Sequence, residues 1–337
     1  MQLKLLDILA CPRCHGALAC HPVETAPDGD LLTATLRCAT CSRQYGVSNG
    51  IPRFVEAASY ADSFGYQWNQ FKLEQLDSAN GTRLSEQRFY GETGWTTEWM
   101  AGKWLLEAGC GAGRFLEVAS RSNANVVGID LSNSVDAARQ SLGRRKNVHL
   151  VQASIYQLPF RPGVFDGCYS IGVLQHTPDR HACIAPLARV LRPEARLAIT
   201  VYERRRGTML NGKYWLRPIT RRLPKRLLLW LLKLAMPIVF PICELLFRLP
   251  LAGRFFRFVI PVADYVEKPE LSLRERYRWA VLDTFDMLSP AFDAPMTEAE
   301  LRSWLGEAGI ANTRRLPSGG LTLVGERSAS AAARAEV

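Results

Sequence analysis

The apolar positions of this chain change period along its length, and the changes mark its parts. Between Lys103 and Tyr202, short apolar runs alternate with amphipathic stretches. Lys103–Ala108, Asn125–Leu131, Val148–Ala153, Phe165–Ile171 and Arg196–Val201 read as strands buried on both faces. Helices are predicted at Gly113–Arg121, from Ser132 or Asn133 through about Arg144, and near Arg180–Leu191. Strands alternating with helices predict a mostly parallel sheet covered on both faces. Further on, Thr297-Glu-Ala-Glu300 is a capping box that opens a helix over Leu301–Ala308. Gly309 ends that helix, and Asn312–Leu316 with Leu321–Glu326 read as a closing antiparallel pair.

Two stretches break this rhythm. Between residues 57 and 100 stand Tyr60, Phe64, Tyr66, Trp68, Phe71, Phe89, Tyr90, Trp95 and Trp99, too many aromatics for a loose linker. Helices packed on the core are expected there, with Phe64–Asn69 as an aromatic lid. After Tyr202 comes a basic and aliphatic region. Its centre, Leu227–Phe247, is long enough to cross a bilayer but contains Lys233, Glu244, Pro237 and Pro241. Three arrangements are open for it: a spanning helix, a helical cap over the site, or a surface that touches a membrane. It leaves from the carboxyl end of the fifth strand, so it belongs on the substrate side.

Composition narrows the class. The 337 residues are 47% hydrophobic and 22% charged, enough for a sizeable folded core. Met1–Leu9 has no basic region followed by a long apolar run, so a cytoplasmic setting with reduced thiols is expected for the nine cysteines. The net charge of +10 is uneven: Arg196–Arg257 holds fourteen Lys/Arg against Glu203 and Glu244. Met1–Val55 holds five Lys/Arg and four acids, a poor footprint for nucleic acid.

Two constellations carry chemistry. Cys11-x-x-Cys14 and Cys38-x-x-Cys41 present four thiolates, which suit one closed tetrahedral structural Zn²⁺. Cys20 and His21 are alternative ligands, and a closed site leaves no water to activate. The second is Glu107-Ala-Gly109-Cys110-Gly111-Ala-Gly113 at the end of a buried strand. Its glycines permit close backbone approach to a ligand. Asp130, at the end of the next strand, stands where a carboxylate accepts from ribose hydroxyls. On spacing alone a ligand-free tight turn and a dinucleotide site both remain open.

The run Leu105–Phe115, with Asp130, Leu158-Pro159-Phe160 and Phe165-Asp166, resembles class I S-adenosylmethionine-dependent methyltransferases. The resemblance implies a Rossmann-like α/β fold with a mostly parallel seven-stranded sheet. It places Glu107 near the methionine amino group of the cofactor. Gly109, Cys110 and Gly111 would pass its carboxylate and sulfonium side, with Gln67 reaching the carboxylate. Asp130 would take the ribose, and Leu131, Ser154 and Ile155 the adenine. Ile171 and Gln175 would line the floor beneath the methionine portion. Ser154 is a departure, because relatives place an aspartate there. His176 is the first candidate base, with Tyr202 and Asp286 beside it; Asp283 shares a helical face with Asp286. Helix capping or pairing with Arg274, Arg276 or Arg278 is the alternative role for these two acids. Cys11-Pro-x-Cys-x-Gly-x-Leu18, Cys38-x-x-Cys-x-x-x-Tyr45 and Gly50-Ile51-Pro52 resemble the Trm112-like zinc ribbon, whose relatives activate methyltransferases or are fused ahead of them.

The expected organisation is a ribbon (1–56), an aromatic bridge and lid (57–100), a cofactor-binding core (101–203), a cap insertion (204–270), a C-terminal completion of the core (271–327) and a tail (328–337). The expected reaction is direct methyl transfer to an apolar or amphipathic small molecule or lipid-like acceptor. RNA methylation with the ribbon as docking module is the alternative. Peripheral membrane contact through 204–262 and a homodimer are both compatible with the sequence.

Overall fold

The computed structural model describes residues 1–55 and 60–329. The expected boundary between residues 56 and 57, and residues 330–337 of the expected tail, lie outside the described residues. Four strands come first: β1 (Leu18–Thr25), β2 (Leu31–Cys38), β3 (Gln44–Ser48) and β4 (Ile51–Arg53). The aromatic stretch forms α1 (Asp62–Gln70), α2 (Asp77–Asn80), α3 (Leu84–Thr93) and α4 (Thr97–Met100). The alternating region follows as β5 (Trp104–Ala108), α5 (Arg114–Ser120), β6 (Asn125–Asp130), α6 (Ser134–Leu142), β7 (Val148–Gln152), β8 (Phe165–Ile171), α7 (Ile184–Val190) and β9 (Leu191–Val201). The basic, aliphatic region is α8 (Gly212–Thr220), α9 (Lys225–Leu246) and α10 (Ala252–Val259). The chain closes with α11 (Leu273–Leu288), α12 (Glu298–Glu307), β10 (Ile310–Leu316) and β11 (Leu321–Arg327).

Local chemistry explains the boundaries. Thr297 and Glu300 form the reciprocal capping box of α12, and Ser272 with Glu275 does the same for α11. At α6 Asn133 is the cap position without a side-chain bond, and Ser132 Oγ accepts from the Ser134 N–H at 3.2 Å instead. The central strands are apolar on both faces because helices cover both: Leu106, Val127, Ile129 and Val151 pack in one buried cluster, Leu105, Val126 and Leu150 in the other.

The seven core strands run β7-β6-β5-β8-β9-β11-β10. Neighbours are parallel as far as β9, β11 is antiparallel to β9, and β10 is antiparallel to β11. Sequence order reverses at β5, which has β6 on one side and β8 on the other. Ligands bind at the carboxyl ends of strands beside such a reversal.

The sheet is larger than the expected seven strands. The ribbon strands extend the core sheet to eleven, in the order β1-β2-β3-β4 followed by the seven. β4 pairs in parallel with β7 through Arg53 and Gln152, and the Phe54 N–H donates to Gln152 O at 2.8 Å. An uncovered β7 would expose a row of unpaired backbone groups, and β4 caps it. Leu5, Leu9, Leu36 and Val47 join Val151, Phe160 and Ile184 in one buried cluster, so ribbon and core share apolar packing. The Arg53 guanidinium donates to Asp136 Oδ1 at 2.7 Å and to Gln152 Oε1 at 2.8 Å, fastening the junction. Arg53→Ala should cost about 1–2 kcal/mol in urea unfolding, and raise hydrogen exchange in β4 before that in β5.

Candidate active site

The site begins with backbone. The N–H groups of Gly109 and Cys110 both donate to Ile129 O, at 2.8 and 2.9 Å, so the turn after β5 is pinned onto β6. Gly111 N–H donates to Asp130 Oδ2 at 3.0 Å. Gly109 and Gly111 take φ of +85° and +51°, where a side chain is strained. Space also forbids one: a Cβ on Gly109 would lie 2.5 Å from Val173, and one on Gly111 would lie 2.9 Å from Trp68 Nε1. Trp68, carried by α1, thus roofs the turn.

A cavity of about 880 Å³ opens at this turn, at the upper end of the range for small-molecule sites. Gly109, Cys110, Gly111, Asp130, Leu131 and Ile155 line it, as do Gln67, Trp68 and Phe64 of the aromatic lid. Glu107 and Ile171 reach it from the ends of β5 and β8. His176, Tyr202, Asp283 and Asp286 also line it, with Lys213 of α8. All three predicted base candidates and most of the predicted cofactor contacts therefore share one space. Two predicted contacts do not line it. Ser154 Oγ instead accepts from the Tyr156 N–H at 3.3 Å, and its neighbours Ala153 and Ile155 form the wall. Gln175 is fully buried away from the cavity lining, in the turn whose carbonyl accepts from Ala294 N–H at 2.9 Å. The strand-end turn displaces both side chains from the wall, which residue spacing does not reveal.

The buried acids have distinct environments. Asp130 Oδ1 accepts from the Ser132 N–H at 2.9 Å and from Ser132 Oγ at 2.7 Å, while burial raises its carboxyl above the usual range. Glu107 accepts from the Tyr169 hydroxyl at 3.1 Å, and burial holds its carboxyl well above the ordinary value. Asp283 is pushed up to about 7 by burial and by the neighbouring Asp286, against the pull of Arg114 and Arg88. Gln75 donates to it at 3.1 Å. Burial also raises Asp286, with His176 the largest opposing influence. The expected arginine partners Arg274, Arg276 and Arg278 are replaced by Arg114 and Arg88 from α5 and α3; Arg276 pairs with Glu244 at 2.9 Å.

His176 sits between aromatic rings, 5.1 Å from Phe64 and 5.4 Å edge-on to Tyr202. Its Nδ1 lies 2.9 Å from Phe292 O. A carbonyl only accepts, so Nδ1 carries the hydrogen and Nε2 is left as the acceptor of the neutral ring. Several contributors escaped sequence reasoning. Arg114 directly follows the glycine turn and lines the cavity, donating to Ser85 Oγ at 2.9 Å and Gln75 Oε1 at 3.0 Å. Lys213 lies 2.8 Å from the buried Asp293 and 4.5 Å over the Tyr202 ring. Arg114's position beside the turn was the available signal; for Lys213 there was none.

In the ribbon, the Sγ atoms of Cys11, Cys14, Cys38 and Cys41 all lie within 4.8 Å of one another. Cys11–Cys41 is 3.7 Å and Cys14–Cys38 is 3.4 Å, close to the S–S spacing of about 3.8 Å that tetrahedral zinc at about 2.3 Å demands. Backbone N–H groups of Cys41 and Thr40 pull the Cys38 thiol down, while the neighbouring Cys38 pushes the Cys14 thiol up. The expected alternatives Cys20 and His21 lie on β1, outside this cluster.

Fold and site define a Rossmann-like α/β core behind a four-cysteine ribbon. Residues 106–199 match the family described as methyltransferase domain, and residues 2–50 match Trm112p-like protein. Similar curated proteins include the O-methyltransferase cnsE of Penicillium expansum, 34% identical over 40% of this chain and 49% of that protein. Another is the O-methyltransferase rstn1 of Aspergillus nomiae, 33% identical over 43% of this chain and 61% of that protein. The chain spans about half the length of the curated relatives it matches. A solved S-adenosylmethionine-dependent methyltransferase of Methanosarcina mazei is 19% identical, with a TM-score of 0.39, covering 67% of this chain and 92% of that one.

The methyltransferase domain implies S-adenosylmethionine, and the residues present fit it. The glycine turn and Asp130 border the cavity, and the buried Gln67 amide lines it beside Asp286. The donor set of the ribbon fits structural Zn²⁺ equally well. Two outcomes are expected. Cys38→Ser should abolish the single bound zinc measured by metal analysis and cost more than about 2 kcal/mol in unfolding free energy. For Asp283, the folded value of about 7 exceeds the ordinary 3.8, so stability is fullest at low pH and falls as pH rises through that interval. Asp283→Asn should remove the slope, gaining on the order of 2–4 kcal/mol at about pH 8 and little near about pH 4 in urea melts.

Proposed function

We propose that this chain transfers the methyl group of S-adenosylmethionine to an oxygen of an apolar or amphipathic small molecule. One observation carries the reading: the glycine turn and the His176–Tyr202–Asp286 group open on the same cavity, whose remaining walls mix apolar and aromatic side chains with charged ones such as Arg88, Glu92, Arg114 and Lys268. The names of the similar O-methyltransferases support oxygen as the acceptor atom.

Bound S-adenosylmethionine supplies an electrophilic methyl on a sulfonium, so the protein's work is alignment and proton removal. Asp130 keeps lone pairs for the ribose hydroxyls, and Leu131, Ala153 and Ile155 enclose the adenine. Glu107 and Gln67 face the methionine end, and the Trp68 roof keeps water from it. The acceptor enters between α8 and α11. Its hydroxyl gives its proton to His176 Nε2, and Asp286 opposes the positive charge that the ring gains. Tyr202 is not the base, since burial raises its phenol well above the ordinary range. The near-balanced ribbon charge weighs against the RNA-directed alternative.

Calorimetry with S-adenosylhomocysteine should show one site, weakened about tenfold or more by Asp130→Ala. Labelled S-adenosylmethionine should methylate members of a panel of prenylated phenols and long-chain hydroxy compounds. His176→Gln should lower kcat about a hundredfold with S-adenosylhomocysteine affinity retained. Methylation of RNA with no turnover on the panel would overturn the reading.

A further inference from the structure

We propose that the outer face of α8, α9 and α10 docks on an anionic lipid bilayer and sets the acceptor end of the cavity against it. This rests on the methyl-transfer reading for the acceptor, but the surface itself is argued from its own residues.

The helix α9 buries one side and exposes the other. Leu228, Leu229, Met236 and Phe240 pack with Val281 and Phe285 of α11. The opposite stripe, Leu227, Trp230, Leu234, Ile238 and Leu245, faces outward, with Ile238 at 69% exposure. The outer face of a soluble helix is polar, and this stripe is apolar from Leu227 to Leu245. Trp215 and Ile219 of α8 and Phe255 of α10 are also exposed. Leu251, in the turn between α9 and α10, projects at 92% exposure. Three successive helices thus offer apolar side chains to the exterior.

The charge around this face indicates what covers it. Residues 212–259 hold ten Lys/Arg against one acid, Glu244. Exposed Arg221, Arg222 and Arg226 stand at the start of α9, and exposed Arg248 and Arg254 beyond its end. An apolar strip with a cationic rim complements acyl chains beneath anionic headgroups. A second copy of this chain would set the same cationic rims against each other.

By length and composition α9 is apolar enough to cross a bilayer. Its inner side is instead committed to the protein. Glu244 on that side takes Arg276 of α11 at 2.9 Å, and Cys243 is buried beside it. The helix therefore lies along the membrane. α8 links the surface to the chemistry: Lys213 lines the cavity, while Trp215 and Ile219 on the same helix are exposed. An amphipathic acceptor held in the bilayer reaches the cavity past α8 without leaving lipid entirely.

The test sediments the full chain with vesicles of phosphatidylcholine plus phosphatidylglycerol, and with phosphatidylcholine alone. Binding to the anionic vesicles is expected, weaker on the neutral ones and falling as salt rises. The double variant Leu234→Glu/Ile238→Glu should lose about tenfold or more in vesicle affinity, with S-adenosylhomocysteine binding kept as the sign of an intact fold. Arg222→Ser/Arg226→Ser should weaken binding to the anionic vesicles alone. Wild-type protein that ignores both vesicles overturns the proposal, whatever the variants do. So does a wild-type dimer in sedimentation equilibrium that the double variant dissociates, which assigns the face to a second copy. Failure of the wild type to bind S-adenosylhomocysteine, with vesicle binding intact, would overturn the methyl-transfer reading and leave the docking surface standing.

Discussion

The hydrogen bonds from the Gly109 and Cys110 N–H groups to Ile129 O hold the site in register. They fold the end of β5 back onto β6, which aims Gly111 N–H at Asp130 and brings the Asp130 carboxylate to the cavity. The turn must be nearly bare for this, since Val173 and Trp68 already occupy the space a side chain would take. The rest of the molecule arranges itself around that clearance. Trp68 of the lid helix α1 roofs it, α5 departs from it, and the acids of α11 line the same cavity.

Burial governs the chemistry there. Glu107, Asp130, Asp283 and Asp286 are all shifted toward their neutral forms by loss of water. Arg114 and Arg88 offset part of that cost at Asp283, and His176 does so at Asp286. Such clustering of strained titrations is costly to stability and marks functional sites. The cavity also meets α8, which Asp293 anchors through Lys213 at 2.8 Å and the Tyr214 hydroxyl at 3.1 Å. The insertion is thereby a wall of the site.

The ribbon follows a related economy. Its four thiolates can be drawn together by one ion, while its last strand covers the edge of β7. Metal binding and sheet completion then support each other, because β4 lies in the same ribbon as the four cysteines and its Ile51 packs with Val126 and Leu150 of the core and with Phe89 and Trp95 of the bridge.

Much of this was legible in the residues. The core strands could be read because apolar runs buried on both faces have a period that does not depend on their neighbours. The glycine turn, Glu107, Asp130 and the paired cysteines could be read because their roles require particular residue types at short spacing. Contacts between distant segments could not. Nothing local shows that Ser154 turns toward Tyr156, that Gln175 leaves the wall, or that Asp283 faces Arg114 in place of the arginines on its own helix. Nor does a single apolar run say which side is buried: Leu228 and Ile238 are equally greasy, and only α11 packed against one of them decides. Short-range stereochemistry is written into the chain, whereas the direction a side chain faces is set by what the tertiary structure places across from it.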